Sequence, residues 1–341
     1  MKRAETHRLA DLSSLSTFRL PARAAELIVL DSPEQLNAMP PADSQDLVLG
    51  GGSNTVFLGD FAGRVILNRL SGVSFESSGD DVLVTAAAGE NWHGLVRRCI
   101  ERGLHGLENL VMIPGSVGAA PMQNIGAYGV ELADVFERLS AWDRQERRLV
   151  SLAPGDCAFN YRDSRFRSAE PGRFLITSVT LRLSTRFRPD TRYASLARAL
   201  DCAGIRQPSA RQLAAAVMRL RRHRLPDPAR LPNAGSFFRN PVVTAVQASE
   251  LLRQFPTLPH WSTQDGSVKL AAAWMIERLG FRGRRVGDAG VYHRHALVLV
   301  NHGRATARQL VGLVDEITTA VRNEFGIELD PEPQLIGSLQ A

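Results

Sequence analysis

Apolar positions in this chain recur with two different periods, and the switches between them divide it into short strands and amphipathic helices. Ser32-Pro33-Glu34-Gln35 combines an N-cap, a proline at the first helical position and a capping-box partner, so a helical turn is predicted to start there. Strands are predicted at Asp46–Leu49, Arg64–Asn68, Asp81–Thr85 and Phe174–Leu183. From Asn91 to Arg102 the residues Trp92, Leu95, Val96, Cys99 and Ile100 fall on one helical face, with Gly103 as the stop. Ser209 to Gln212 is a second capping box; it opens a helix through Val217 and Leu220 that ends before Leu225-Pro226. Thr306 to Gln309 caps a helix whose stripe Leu310, Leu313, Val314, Ile317, Val321 and Phe325 ends at Gly326. The pattern is α+β, without a regular βαβ array, and it contains no internal repeat.

The chain has 341 residues, 44% of them apolar and 22% charged, which is ample for two ordinary globular domains and excludes fibrous or disordered classes. The basic stretch Thr185 to Arg192 and the Ala/Arg/Leu-rich sequence after it place a boundary, giving domains at 1–198 and 199–341. The formal net charge is +6, and with Lys2 and Lys269 among few lysines the positive charge is mostly Arg, suited to bidentate recognition of phosphate or carboxylate. Cys99, Cys157 and Cys202 form neither a CxxC nor a metal-ligand spacing, which fits a reducing cytoplasm. The N-terminus has no apolar signal region, and runs such as Ala296–Val300 are too short to span a bilayer, so no membrane partner is expected.

Two glycine-rich segments are candidates for ligand binding. Gly50-Gly51-Gly52-Ser53-Asn54-Thr55 follows a strand; its backbone can approach a ligand closely and its donors suit phosphate oxygens, although alone it reads first as a tight turn between two strands. The second runs from Ile113 through Pro114, Gly115, Ser116, Gly118, Gln123, Asn124, Ile125 and Gly126 to Gly129, and it is too apolar for an exposed linker. Amides at Gly115 and Gly118 can hold a pyrophosphate at a helix start, and Gln123 and Asn124 can hydrogen-bond a flat heterocycle. No GxGxxG lies between a strand and a helix and no GxxxxGK[ST] occurs, so the Rossmann and P-loop modes are disfavoured.

Phe159 to Phe166 puts Tyr161 beside Arg162; the octet leaves open whether Arg162 is an anchored donor for developing negative charge or a surface partner of Asp163. In Asn233 to Pro241 the Ser236 hydroxyl lies between Gly235 and two aromatics and reads either as a serine turn or as a proton donor in a low-dielectric pocket. Without a GxSxG elbow, a hydrolase nucleophile is not expected. His293 and His295 are expected on one face of a strand, near His302, as packed or solvated imidazoles and not as metal ligands. Arg221-Arg222-His223-Arg224 and Arg282-Gly283-Arg284-Arg285 read as solvated helix ends and turns, with too few interleaved aromatics for nucleic-acid binding.

Taken in order, GGGSN, PGSVGAAPMQNIGAYG, YRDSRF, AGSFFRNP, KLAAAWMIERLGFRG and LDPEPQLIG resemble the UDP-N-acetylenolpyruvoylglucosamine reductase family, from about Thr17-Phe18 to Gly337. TRYASL and RLPDP resemble its longer, type I form. The resemblance implies an FAD-binding fold of the vanillyl-alcohol-oxidase (PCMH) type plus a smaller α+β substrate domain whose C-terminal tail returns to the flavin site. It implies FAD held without a covalent bond by Gly50 to Thr55 and Pro114 to Gly126, NADPH as hydride donor, and UDP-N-acetylglucosamine enolpyruvate as the small-molecule substrate of a monomer. By matching position, Arg162 and Glu332 act at the substrate carboxylate and Ser236 donates a proton, while Tyr161, Tyr193, Arg224, Asn233 and Lys269 line the substrate pocket. Arg224 and Arg239 stand where the family usually has Lys, and Pro333 and Gln334 where it commonly has Val and Arg. An alcohol or sugar oxidase of the same fold is the alternative, opposed by the combination of Tyr161-Arg162, Ser236 and Glu332; a nucleic-acid-binding protein is opposed by the glycine segments.

Overall fold

The computed structural model describes residues 4–263 and 265–339. The chain forms two compact units. One comprises the residues up to Ala10, Ala24–Gly51 and Ala62–Arg221; the other comprises Asp11–Arg23, Gly52–Phe61 and the residues from Arg222 onward. The second unit is therefore discontinuous. Two short N-terminal segments belong to it because Phe18, Leu20 and Val56 are buried in the same apolar cluster as Phe237, Phe238, Met275, Ile276 and Ile317. A boundary at 198/199, drawn from composition, does not capture that exchange, since hydrophobic burial follows contact in space and not position in the chain.

The first unit is built on a five-stranded antiparallel sheet in the order Arg148–Leu152, Phe136–Asp143, Phe174–Ser184, Asp81–Ala87, Val73–Ser78. In the second half of the central strand the buried Val179, Leu181 and Leu183 alternate with the polar Thr180 and Arg182, whereas Phe174, Leu175 and Ile176 at its start are buried in succession. The helix Trp92–Glu101 packs Trp92, Leu95, Val96 and Cys99 into the core, capped at Asn91, whose side chain accepts from the Gly94 amide at 2.8 Å. Gly103 follows with φ +71, the left-handed stop that the sequence predicts. At Ser32 the capping box forms, but only a short 3-10 run, Pro33–Ala38, follows.

In the second unit the sheet order is Asn233–Ser236, Val298–Asn301, Ala289–Val291, Arg285–Val286. The helix Ala307–Phe325 buries all six residues of its predicted stripe, with Thr306 at its N-cap and Gly326 at φ +65. Gln334–Ile336 pairs in parallel with Thr55–Phe57. His293 and His295 do not share a strand face; they lie in the turn between Ala289–Val291 and Val298–Asn301. Burial, reinforced by Arg224, pushes the His295 pKa down to about 4, and its Nδ1 accepts from the Leu297 amide at 3.2 Å, which requires a neutral ring nitrogen. Among the described residues no group of three His, Cys, Asp or Glu is arranged to hold a metal, and no helix is long and apolar enough to cross a membrane. Cys99 and Cys157 are buried, with burial pushing both thiols up to about 12, and Cys202 is exposed.

Gly52 and Gly79 both hold positive φ, +61 and +65, but a Cβ on Gly52 would sit 1.8 Å from the Leu15 carbonyl oxygen whereas one on Gly79 meets nothing within 4 Å. Gly79→Ala is expected to cost about 1 kcal/mol, from the left-handed backbone alone. Gly52→Ala is expected to cost more than about 3 kcal/mol, because rigid backbone must also move. Denaturant unfolding of both variants checks this, and equal costs would contradict the packing described.

The neutral His295 gives a pH prediction with a definite sign. Because its folded pKa lies below its ordinary 6.5, the native state binds fewer protons than the unfolded chain between pH 6.5 and about 4, and stability falls as the pH falls through that window. The loss from this one group is about 3 kcal/mol. Urea midpoints of His295→Gln should decline less than those of the parent over that range; parallel declines would contradict the assignment.

Candidate functional site

In the first unit, the second glycine segment is braced on the octet that carries Arg162. Asn160 and Asp163 exchange backbone hydrogen bonds at 3.1 Å, closing a tight loop with Arg162 at φ +53. A left-handed arginine costs energy and persists only where its surroundings over-determine it. Here they do: Ser164 Oγ donates to the Met122 carbonyl at 2.8 Å, Arg167 donates to Gln123 Oε1 at 3.1 Å, and Arg162 Nη2 donates to the Gly126 carbonyl at 2.7 Å. Asn124, itself at φ +43 and buried, donates to Glu131 Oε2 at 2.7 Å and to the Asn160 carbonyl at 3.4 Å, while its Oδ1 accepts from the Ala133 amide at 3.0 Å. Gln123 and Asn124 thus serve the loop's own architecture, where the sequence had offered them to a flat heterocycle. Arg162 is an anchored donor, and its guanidinium also lies over the Tyr161 ring at 5.3 Å.

The two glycine segments meet within this unit. A Cβ on Gly50 would lie 2.2 Å from Ser116 Oγ, and one on Gly51 would lie 2.8 Å from Gly115 Cα. Ser116 Oγ is buried with no hydrogen-bond partner, an orphan that a bound phosphate oxygen would satisfy. The residues present therefore fit a dinucleotide pyrophosphate. Gly118 has another role than the one expected: its amide donates to the Ala88 carbonyl at 2.8 Å, and its missing side chain admits Ala88, whose Cβ would be 2.5 Å from a Gly118 Cβ. Pro114 precedes this contact, and Ile125 is buried behind it. Tyr193 is exposed and stands edge-on to Tyr128, ring centroids 5.3 Å apart.

In the second unit, Ser236 and Glu332 are brought together by backbone. Gly235 at φ +75 and a register shift between Asn233 and Ser236 kink the strand, and Ser236 resumes pairing opposite Val298. The next residue, Phe237, is buried, and its carbonyl accepts from the Glu332 amide at 2.8 Å. On the far side of Glu332, the Asn54 side chain donates to the Glu332 carbonyl at 3.2 Å and the Gln334 amide donates to the Asn54 carbonyl at 2.9 Å. The tail is thereby stitched to Ser53-Asn54-Thr55. Pro333 and Gln334 leave this register intact: Pro333 is buried and Gln334 directs its side chain outward.

Asn233 is spent on the scaffold. Its amide nitrogen donates to the Leu231 carbonyl at 2.8 Å and the Pro226 carbonyl at 3.3 Å, and its oxygen accepts from the Gly235 amide at 2.9 Å. It shapes the kink that presents Ser236. Arg224 is exposed, and Lys269 Nζ lies 5.9 Å from the centroid of the exposed Trp261 ring. The expected solvation of the basic run 221–224 holds for Arg222, His223 and Arg224 but not for Arg221, whose Nε is buried. The helical continuation of the apolar stripe from Val217 was the signal for it.

Known proteins resemble both parts of the chain. Residues 37–150 match the FAD binding domain, and residues 227–336 match the C-terminal domain of UDP-N-acetylenolpyruvoylglucosamine reductase. The chain is 45% identical over 327 residues to the UDP-N-acetylenolpyruvoylglucosamine reductase of Dechloromonas aromatica, covering 95% of this chain and 97% of that one. It is 46% identical to that of Chromobacterium violaceum over 332 residues, covering 96% and 97%. The crystal structure of the Thermus caldophilus enzyme superposes with a TM-score of 0.69 at 25% identity, covering 99% of this chain and all of the other. The chain belongs to the UDP-N-acetylenolpyruvoylglucosamine reductase family.

Proposed function

We propose that this protein reduces UDP-N-acetylglucosamine enolpyruvate to UDP-N-acetylmuramate, with NADPH as hydride donor and FAD as bound cofactor, as a cytoplasmic monomer in peptidoglycan precursor synthesis. The observation that carries the reading is the 2.8 Å bond from the Glu332 amide to the Phe237 carbonyl, which brings Glu332 to the residue that follows Ser236 on its kinked strand. The chemistry FAD supplies when bound is a two-electron relay, hydride in from NADPH and hydride out to the terminal vinyl carbon of the substrate.

The remaining chemistry falls to the chain's own side chains. Hydride addition at the vinyl terminus drives charge toward the substrate carboxylate, and the enolate-like species needs a fixed cation. Arg162 supplies it: always ionised and held in one orientation by the Gly126 carbonyl, it spends no reorganisation energy as charge develops. Glu332 hydrogen-bonds the same carboxylate. Ser236 gives the proton to the carbon beside it; a hydroxyl is a weak acid, so the acceptor must be a strongly basic carbanion at close range. Gly50 to Thr55 and Pro114 to Gly126 are the segments that hold FAD, with Ser116 Oγ as a phosphate donor. Tyr193 and Arg224 serve the substrate diphosphate, and Tyr161 and Lys269 line the rest of the substrate pocket. Asn233 acts through the backbone it holds.

Ser236→Ala tests the assignment. In single-turnover absorbance measurements on the FAD-loaded protein, NADPH-driven bleaching should keep its parental rate, while recovery of colour on adding the enolpyruvyl sugar should slow by ~10²- to 10⁴-fold. Equal slowing of both phases would contradict the role of Ser236.

A further inference from the structure

The stretch Ser16–Phe18 lies early in the chain, yet its polar atoms are committed to two segments of the second unit that are far apart in sequence. The Thr17 amide donates to the Gly52 carbonyl at 3.1 Å, and Ser16 Oγ donates to the Thr55 carbonyl at 2.5 Å, so one side of the stretch is bound to the first glycine segment. On the other side, Thr17 Oγ1 donates to the Asn233 carbonyl at 2.7 Å while the Thr17 carbonyl accepts from the Asn233 amide at 3.1 Å. The stretch is itself held fast: Phe18 is fully buried, and its carbonyl accepts from the side chain of the buried Asn301 at 3.1 Å.

Asn233–Ser236 is the edge strand of its sheet. It pairs with Val298–Asn301 only at Asn233 and Ser236, where three steps along one strand span two along the other, so the chain bulges between them at Gly235. A bulged edge strand leaves backbone groups open on its outer side. Thr17 closes that side at Asn233, three residues before the Ser236 hydroxyl. Its main chain cannot do this alone, because the Thr17 amide is already bound to Gly52 and the carbonyl can only accept. The hydroxyl supplies the second donor that lets one residue hold both segments.

We propose that Thr17 is a positioning residue for the proton-transfer step, which holds the strand that presents Ser236 against the first glycine segment. The proposal rests on the reductase reading and on Ser236 as proton donor, and it adds the residue through which that donor is kept in place. Thr17 acts only through Ser236. Its removal is therefore felt where the Ser236 proton is used and not where NADPH delivers its hydride.

The experiment compares FAD-loaded Thr17→Val, which keeps the shape and removes the donor, with Thr17→Ser, which restores it, and places Thr17→Val also on a Ser236→Ala background. For Thr17→Val the expected result is parental bleaching by NADPH and colour recovery with the enolpyruvyl sugar slowed by ~3- to 10-fold, the value of one neutral hydrogen bond. Amide hydrogen exchange should quicken in Asn233–Phe237 and stay unchanged in the helix Ala307–Phe325. Thr17→Ser should recover colour within about twofold of the parent. On the Ser236→Ala background Thr17→Val should add no further slowing, since the hydroxyl it positions is gone, whereas an independent structural role would multiply with it. Should Thr17→Val not fold, Thr17→Cys, whose thiol is a weaker donor, takes its place in every arm. Parental colour recovery, equal slowing of both phases, or full multiplication on Ser236→Ala would overturn the proposal. Failure of the parent protein itself to recover colour with this sugar would instead overturn the reductase reading, and parental recovery in Ser236→Ala alone would overturn the role of Ser236.

Discussion

A backbone hydrogen bond from the Glu332 amide to the Phe237 carbonyl, backed by one from the Arg239 amide to the Asp330 carbonyl at 3.0 Å, joins a C-terminal tail to the end of a strand far away in sequence, and the acid side of the proposed chemistry depends on it. Because main-chain atoms make it, and because the parallel pairing of Gln334–Ile336 with Thr55–Phe57 fixes the register, the position of Glu332 tolerates the side chains on either side. The same pairing ties the tail to Asn54 in the first glycine segment, so one short strand serves two functional elements.

In the first unit the corresponding constraint is conformational. Arg162, Asn124 and Tyr128 all occupy the left-handed region, within a loop and an octet that brace each other through Ser164, Arg167 and the Gly126 carbonyl. Strain of this kind is offset by packing elsewhere, here a core in which Trp92 fixes its indole nitrogen on the Leu110 carbonyl at 3.0 Å. What is gained is a guanidinium that does not have to search for its orientation.

Local rules made much of this legible. The caps at Asn91 and Thr306 and the stops at Gly103 and Gly326 depend only on near neighbours, and the stripe of the last helix depends only on period. The proposed site residues Arg162, Ser236 and Glu332 were singled out through six motifs in one order, not through any local rule. Three features were hidden for physical reasons. Asp11–Arg23 and Gly52–Phe61 join the C-terminal unit through tertiary burial of Phe18, Leu20 and Val56, which composition does not encode. The Gly118 amide looks free in a glycine-rich string until the Ala88 carbonyl is placed beside it. Arg221 is the first of four basic-looking residues, and only the rotation of its helix separates it from its solvated neighbours.

The central claim is that electrons entering from NADPH leave to an enolpyruvyl sugar. The most direct test is anaerobic: the purified yellow protein is bleached with a stoichiometric amount of NADPH, and UDP-N-acetylglucosamine enolpyruvate is then added before any oxygen. The account predicts that colour returns at once and that UDP-N-acetylmuramate forms in equal amount to the NADPH consumed. Colour that returns only when oxygen is admitted, with the sugar unchanged, would contradict it.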